Sequence, residues 1–231
     1  TTNTRLIYLT YPNNPTGSVA TKAFFQDTID RFKQTKTKIV HDFAYQAFGF
    51  DQPNPSILQA EGAKSCAVEV FSFSKGYNMS GYRVGFAVGN AEMIENLQKY
   101  HTHTQAGMYG ALQDACTVAL NECDDVLYEQ SRVFGHRRDL IEKTLNEAEI
   151  PHEPIKGGIF LWLQCPNGFT SDAFIDYLLQ EKSILAAPGH PFGEEGEGYV
   201  RISFAIDEAQ LNTALERLVS LKALYQNDST N

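Results

Sequence analysis

Short apolar runs alternate with an amphipathic stretch along the first part of the chain. Residues 21–34 place phenylalanine and isoleucine at helical spacing, which predicts a helix. Four apolar runs have the length and composition of strands: residues 5–9, 37–41, 67–71 and 82–88. Strands that alternate with helices are typical of an α/β fold, so we predict a mostly parallel sheet in this region.

A long amphipathic stretch separates this region from the rest of the chain. Residues 122–148 predict a single helix, and two prolines shortly afterwards mark its end. The remaining pattern predicts strands at 159–163, 184–186 and 199–204, a helix at 171–181, and a last helix capped by Asp207.

These elements divide the chain into three predicted parts. Residues 1–121 would form part of a large α/β domain. Residues 122–148 would form an interdomain helix, and residues 149–231 a small α+β domain.

Composition narrows the classes of function. The chain has 231 residues, of which 42% are hydrophobic, and no apolar stretch is long enough to span a bilayer. The formal net charge is -9 and the pI is near 5.1, whereas proteins that bind nucleic acid usually carry a basic surface. We therefore predict a protein with neither membrane nor nucleic-acid partners.

The cysteines and histidines do not predict a metal site. Cys66, Cys116, Cys123 and Cys165 lie far apart, without the spacing of metal ligands or redox pairs. The one close histidine pair, at residues 101 and 103, has no acidic or cysteine partner nearby. Reduced thiols are typical of intracellular proteins, so we predict a cytoplasmic location.

The most informative chemistry surrounds Lys75, which follows the strand predicted at 67–71. An amine at a strand end can form a Schiff base with an aldehyde cofactor, if neighbouring groups hold the cofactor's anionic part. Ser72 offers a hydroxyl, and Arg83, which we expect to be buried, offers a guanidinium group for a phosphate. Pyridoxal 5′-phosphate is the cofactor that this combination suggests.

Two other interpretations of this segment are possible. Ser72 and Lys75 also match Ser-x-x-Lys, the nucleophile signature of penicillin-binding proteins and related β-lactamases. That motif opens a helix and is accompanied by Ser-Asp-Asn and Lys-Thr-Gly elements, but neither element occurs in this chain. The simplest alternative is an ordinary surface lysine.

Polar residues also follow two other predicted strands. Asn14 lies in a proline-rich loop after the first strand, and Asp42 and Tyr45 follow the second. Ligands of parallel α/β sheets bind beyond the carboxyl ends of the strands. We therefore expect these residues and Lys75 to meet in one crevice.

The order of these motifs resembles that of class I/II aminotransferases of PLP fold type I. The matching segments are Asn-Pro-Thr-Gly from Asn14, Asp-x-Ala-Tyr from Asp42, Ser-x-Ser-Lys ending at Lys75 with Arg83 downstream, and Arg-Ile-Ser from Arg201. The resemblance extends over essentially the whole chain. It implies a large domain with a mostly parallel sheet that is incomplete in this chain, and a C-terminal α+β domain.

The resemblance also implies a reaction and four residue roles in it. The reaction is amino transfer between an amino acid and a 2-oxo acid. Lys75 would form the internal aldimine with pyridoxal phosphate and move a proton to and from the substrate α-carbon. Asp42 would pair with the pyridinium nitrogen, while Asn14 and Tyr45 would bond the cofactor's 3′-oxygen. Without the resemblance, Asp42 could equally be a turn residue.

The resemblance assigns the anionic groups to the remaining site residues. Ser72 and Arg83 would bind the cofactor phosphate, and Arg201, with Asn14, would bind the substrate α-carboxylate. Arg83 could instead form a structural ion pair. Family members act as homodimers, so a homodimer is expected.

The segment from Tyr77 to Gly89 looks most like the diaminopimelate/aspartate/alanine-type branch. Family members are much longer on the N-terminal side, so we expect this chain to be a C-terminal fragment. Three alternatives remain: β-elimination on the same scaffold, an inactive fragment that acts only through interactions, and the effector domain of a regulator.

Overall fold

The structure of the protein is a computed structural model that describes residues 3–105 and 107–226. It divides into two compact units. The first unit contains the described residues up to Pro12 together with Val19–Arg132. The second unit contains Asn13–Ser18 and the described chain from Val133 onward.

A four-stranded sheet forms the centre of the first unit. Its strands are β1 (Leu6–Thr10), β2 (Lys38–Asp42), β3 (Ala67–Ser72) and β4 (Gly85–Gly89), in the order β1-β2-β3-β4. The first three strands are parallel, and β4 runs antiparallel to β3. This arrangement confirms the predicted α/β class with a mostly parallel sheet.

Helix α1 (Lys22–Phe32) covers one face of this sheet. The Thr21 hydroxyl accepts a hydrogen bond from the amide of Phe24 and thus caps the helix N-terminus. Phe25 and Ile29, four residues apart on one side of the helix, are buried against Ile39 of β2 and its neighbours. The apolar spacing that predicted the helix therefore also forms the core.

A buried polar network fixes β2 against β3. His41 Nδ1 lies 2.8 Å from Glu69 Oε1, and His41 Nε2 lies 3.0 Å from the carbonyl oxygen of Tyr11. The Ser56 hydroxyl and the Ile57 amide donate to the same Glu69 carboxylate. Because buried polar groups require partners, this network favours a single register of β2 against β3.

Helices α2 (Ala91–Thr104) and α3 (Gly110–Glu122) follow β4, and the apolar pattern did not predict either of them. In the part of the chain that the structure describes, α2 has no buried residue and α3 buries only Cys116 and Ala119. Large apolar side chains such as Leu97 and Val118 are exposed. Without a buried stripe, helical periodicity is weak.

Helix α4 (Asp124–Glu147) crosses the boundary between the two units. It buries Phe134, Ile141 and Leu145, all within the second unit. The pattern over residues 122–148 therefore corresponds to one helix with slightly shorter bounds. Its role as an interdomain helix stays a prediction.

The second unit contains a three-stranded antiparallel sheet. Its strands are β5 (Phe160–Gln164), β6 (Ala187–Pro188) and β7 (Tyr199–Ser203), in the order β5-β7-β6. The predicted strand at 184–186 is wrong, because pairing with β7 begins only at Ala187, opposite Arg201. Ile184 is buried, which explains why its segment had an apolar signal without being a strand.

Helices α5 (Ser171–Lys182), α6 (Glu208–Val219) and α7 (Lys222–Gln226) complete the second unit. The predicted cap is confirmed, since the Asp207 carboxylate accepts a hydrogen bond from the Gln210 amide at 2.8 Å.

Candidate active site

Lys75 lies in a turn three residues beyond the end of β3. Its carbonyl oxygen accepts a hydrogen bond from the Asn78 amide at 3.1 Å, which closes the turn. Its side chain is half-buried, and Nζ lies 5.9 Å from the ring centroid of Tyr45. Tyr45 itself is buried. The structure thus brings the predicted amine close to the predicted phenol within the first unit.

Asp42 is the last residue of β2, and both oxygens of its carboxylate accept hydrogen bonds. Oδ1 accepts from the Ala44 amide at 3.1 Å, and Oδ2 accepts from the Tyr8 hydroxyl at 3.1 Å. Burial raises the pKa of the Tyr8 phenol, and the Asp42 charge and hydrogen bond raise it further. Tyr8 was not predicted as a site residue, because a tyrosine in a strand is no signal of function by itself.

Two serines and Arg83 lie around the Lys75 turn. The Ser72 hydroxyl accepts from the Ser74 amide at 3.1 Å, and Arg83 Nη1 lies 3.4 Å from the Ser74 hydroxyl. Arg83 also donates to the Ser80 carbonyl at 2.9 Å. It is exposed, which corrects the expectation of a buried arginine. Ser74 was missed, although its place in Ser-x-Ser-Lys was a usable signal.

Asn14 and Arg201 are in direct contact within the second unit. Arg201 Nη1 donates to Asn14 Oδ1 at 2.8 Å. The guanidinium carbon of Arg201 lies 4.4 Å from the ring centroid of Phe160 and 4.8 Å from that of Phe192. Two aromatic faces therefore hold the planar group by cation–π attraction. The structure brings together the two residues that were predicted to bind substrate.

The loop that carries Asn14 is closed by its own hydrogen bonds. The Asn13 amide donates to the Ser18 carbonyl at 2.8 Å, and the Thr16 hydroxyl donates to Asn13 Oδ1 at 2.9 Å. Gly17 has φ +70, and a Cβ there would lie 3.1 Å from the Gly157 carbonyl oxygen. A glycine is needed at this position, since it avoids both the backbone strain and the close contact.

The predicted site residues are divided between the two units. Asp42, Tyr45, Ser72, Lys75 and Arg83 belong to the first, whereas Asn14 and Arg201 belong to the second. The expectation that all the strand ends meet in one crevice stays a prediction.

The groups in the first unit fit pyridoxal phosphate by their chemistry. An amine can take its aldehyde, a carboxylate its ring nitrogen, and a guanidinium with hydroxyls its phosphate. All of them lie at or just beyond the carboxyl ends of β2 and β3. This is the edge where parallel α/β sheets bind ligands.

Within residues 3–105 and 107–226, no three His, Cys, Asp or Glu side chains are grouped so that they could hold a metal ion. In the same residues, no helix combines the length and apolar character that crossing a membrane requires.

Comparison with known proteins gives a consistent class. Residues 1–218 match the family described as aminotransferase class I and II. The chain is 42% identical over 223 residues to L-glutamine--4-(methylsulfanyl)-2-oxobutanoate aminotransferase of Bacillus subtilis. This match covers 96% of this chain and 56% of that relative. It is 40% identical to LL-diaminopimelate aminotransferase 2 of Trichormus variabilis, over 93% of this chain and 55% of that relative.

A solved structure of an aminotransferase from Staphylococcus aureus superposes with a TM-score of 0.96 at 60% identity. It covers 97% of this chain and 60% of that one. The chain belongs to the class I and II aminotransferase family, whose members use pyridoxal 5′-phosphate and share PLP fold type I. It spans about half the length of the curated relatives that it matches.

Proposed function

We propose that this chain carries the catalytic lysine and the substrate arginine of a pyridoxal-phosphate-dependent aminotransferase. Amino transfer between an amino acid and a 2-oxo acid is the function that the site supports best. The observation that carries the proposal is the position of the Asp42 carboxylate at the carboxyl end of β2 and of the Lys75 amine just beyond that of β3, its parallel neighbour in the same unit.

When bound, pyridoxal phosphate supplies an aldehyde and an electron-withdrawing ring that stabilises negative charge on the substrate α-carbon. The Lys75 amine would hold the cofactor at its aldehyde and would accept and return the α-proton of the substrate. Tyr45, buried beside Lys75, can donate its hydroxyl to the cofactor's 3′-oxygen. Asn14 is the second partner proposed for that oxygen.

Asp42 keeps the ring nitrogen protonated, because an adjacent carboxylate favours the charged pyridinium form. The phosphate is bound by Arg83 together with Ser72. Ser74 is added to this set, since its hydroxyl lies 3.4 Å from the Arg83 guanidinium. An exposed arginine suits this role, because its neutral partners, a hydroxyl and a carbonyl, leave its charge to the phosphate.

Arg201 binds the α-carboxylate of the substrate. Its guanidinium group is a planar fork of donors that matches a carboxylate. The rings of Phe160 and Phe192 and the Asn14 amide hold that plane in one orientation. A fixed carboxylate selects which bond of the α-carbon is aligned for cleavage.

The names of the relatives support a narrower proposal. One relative is named for glutamine and a methylsulfanyl oxo acid, and another for LL-diaminopimelate. We place this chain in the diaminopimelate/aspartate/alanine-type branch, acting as a homodimer in the cytoplasm. Residues 122–148 would link a large and a small domain.

A half-reaction tests the proposal. The chain is mixed with pyridoxal phosphate and a panel of L-amino acids, and conversion of the cofactor to its amine form is followed together with 2-oxo acid release. We expect conversion with the native chain, none with Lys75→Ala, and native behaviour with the control Lys64→Ala, which alters an exposed lysine.

Pyruvate release without conversion of the cofactor would instead indicate β-elimination. No reaction with any amino acid would support an inactive or interaction-only fragment.

A further inference from the structure

The hydroxyl of Tyr8 is aimed at the carboxylate proposed to face the cofactor ring. In the β1–β2 register Tyr8 pairs with Val40 and Thr10 pairs with Asp42, so the tyrosine reaches diagonally along the sheet. Its hydroxyl lies 3.1 Å from Asp42 Oδ2, although the residue as a whole is 61% exposed. This exposure shows that Tyr8 adds little to the core, so the polar contact is its distinctive feature.

The two hydrogen bonds to Asp42 together fix the plane of the carboxylate. The Ala44 amide holds Oδ1 and the Tyr8 hydroxyl holds Oδ2, both at 3.1 Å. One bond alone would leave the group free to rotate about its Cβ–Cγ axis. Each carboxylate oxygen can accept two hydrogen bonds, so this arrangement can still accept a pyridinium N–H.

A phenol is well suited to this task. It is a neutral donor, so it orients the carboxylate without cancelling the negative charge that the ring nitrogen requires. Burial and the Asp42 charge both raise the pKa of the Tyr8 phenol. The hydroxyl therefore stays protonated and keeps donating at neutral pH.

We infer that Tyr8 is a positioning residue, whose hydroxyl holds Asp42 in the orientation that binds the ring nitrogen of the cofactor. The inference rests on the proposed function. It assigns to β1 a part in cofactor binding that the sequence motifs do not include.

The test compares two ligands. Pyridoxal phosphate and its 1-deaza analogue, in which a C–H group replaces the ring nitrogen, are titrated into the native chain and its variants. We expect Tyr8→Phe to weaken pyridoxal phosphate binding about three- to tenfold, the size of one ordinary hydrogen bond, because the ligand loses the orientation of Asp42 and not a bond of its own; binding of the analogue should change by less than about twofold. Tyr100→Phe, which removes the hydroxyl of an exposed tyrosine on α2, is the control and should change neither affinity.

Asp42→Asn separates failure of this inference from failure of the proposed function. If Asp42→Asn removes the preference for pyridoxal phosphate but Tyr8→Phe does not, the role of Tyr8 is refuted and the role of Asp42 stands. Equal weakening of both ligands by Tyr8→Phe would also refute the inference. A native chain that shows no preference, or binds neither ligand, would refute the proposed function and the inference with it.

A readout without cofactor tests the contact itself. The Tyr8 phenol is titrated by NMR of ¹³C-tyrosine, with its signal assigned through Tyr8→Phe. Asp42→Asn should move the pKa of Tyr8 down toward the ordinary value of 10.0, because it removes the neighbouring negative charge. An unchanged titration would show that the two groups do not interact in solution and would overturn the inference.

Discussion

Replacing Arg201 with lysine should weaken substrate binding and leave cofactor binding intact. Lysine keeps the positive charge but replaces a planar fork with a single ammonium group. The change removes the 2.8 Å bond to Asn14 and the contacts of the guanidinium group with the rings of Phe160 and Phe192. It therefore tests the geometry of the site rather than its charge.

The magnitude follows from what the substrate loses. A second charge-assisted hydrogen bond to the carboxylate contributes about 1.5–3 kcal/mol. At 1.4 kcal/mol per factor of ten, we expect the Kd for the amino acid to rise about ten- to a hundredfold. Asn14 is the one proposed cofactor contact that Arg201 touches, and the bond between them uses Asn14 Oδ1 and leaves its Nδ2 group for the cofactor, so the Kd for pyridoxal phosphate should stay within about twofold of native.

The assay is a spectral titration of the chain, first with pyridoxal phosphate and then with an amino acid. Arg217→Lys is the matched control, because Arg217 is an exposed arginine of the same unit that donates to the Ser183 carbonyl. An unchanged Kd for the amino acid would refute the role of Arg201. A loss of cofactor binding would show that the arginine supports the first unit instead.

Two further predictions concern stability. The hydrogen bond that His152 Nε2 donates to the Glu142 carboxylate raises the pKa of His152. Burial raises the pKa of Glu142, but the hydrogen bonds that its carboxylate accepts from His152 and other groups lower it overall. Protonation of His152 therefore stabilises the fold fully below its unfolded pKa of 6.5, and this stabilisation is lost as pH rises through its higher pKa in the folded state. Ionisation of Glu142 stabilises the fold above its unfolded pKa of 4.5, and this stabilisation is lost as pH falls through its lower pKa in the folded state. In urea unfolding, His152→Gln should lower the free energy of unfolding by about 1 kcal/mol near pH 5.5 and by less near pH 9. The control is His101→Gln. An equal loss at both pH values would contradict the pairing of His152 with Glu142. Gly17→Ala should lower the free energy of unfolding by about 1–3 kcal/mol. The loss should exceed that of the control Gly168→Ala, where φ is also positive but an added Cβ would meet nothing within 4 Å. Equal losses would mean that the close contact at Gly17 relaxes.

The apolar pattern predicted β2 and β3 because it follows residues that are buried in the core, such as Ile39 and Val68. It failed for α2 and α3, whose large side chains such as Leu97 are exposed in this chain. It also failed for β6, because a two-residue strand is defined by its pairing with β7 and not by its own sequence.

The candidate site was predictable to the extent that its residues lie in motifs at strand ends. Lys75 and Asp42 could be placed because periodicity shows where β3 and β2 end. The contact between Asn14 and Arg201 joins residues far apart in sequence, so only the resemblance pointed to a shared role. Tyr8 could not be found, because its partner is set by the diagonal geometry of two neighbouring strands.

The most direct test of the central claim is to identify the residue that binds pyridoxal phosphate. The chain is incubated with the cofactor, reduced with borohydride and digested, and the labelled peptide is sequenced. We expect a visible absorption band that reduction removes, with the label on Lys75 and none after Lys75→Ala. Label scattered over exposed lysines, or the absence of any label, would contradict the claim that this chain forms the lysine site of an aminotransferase.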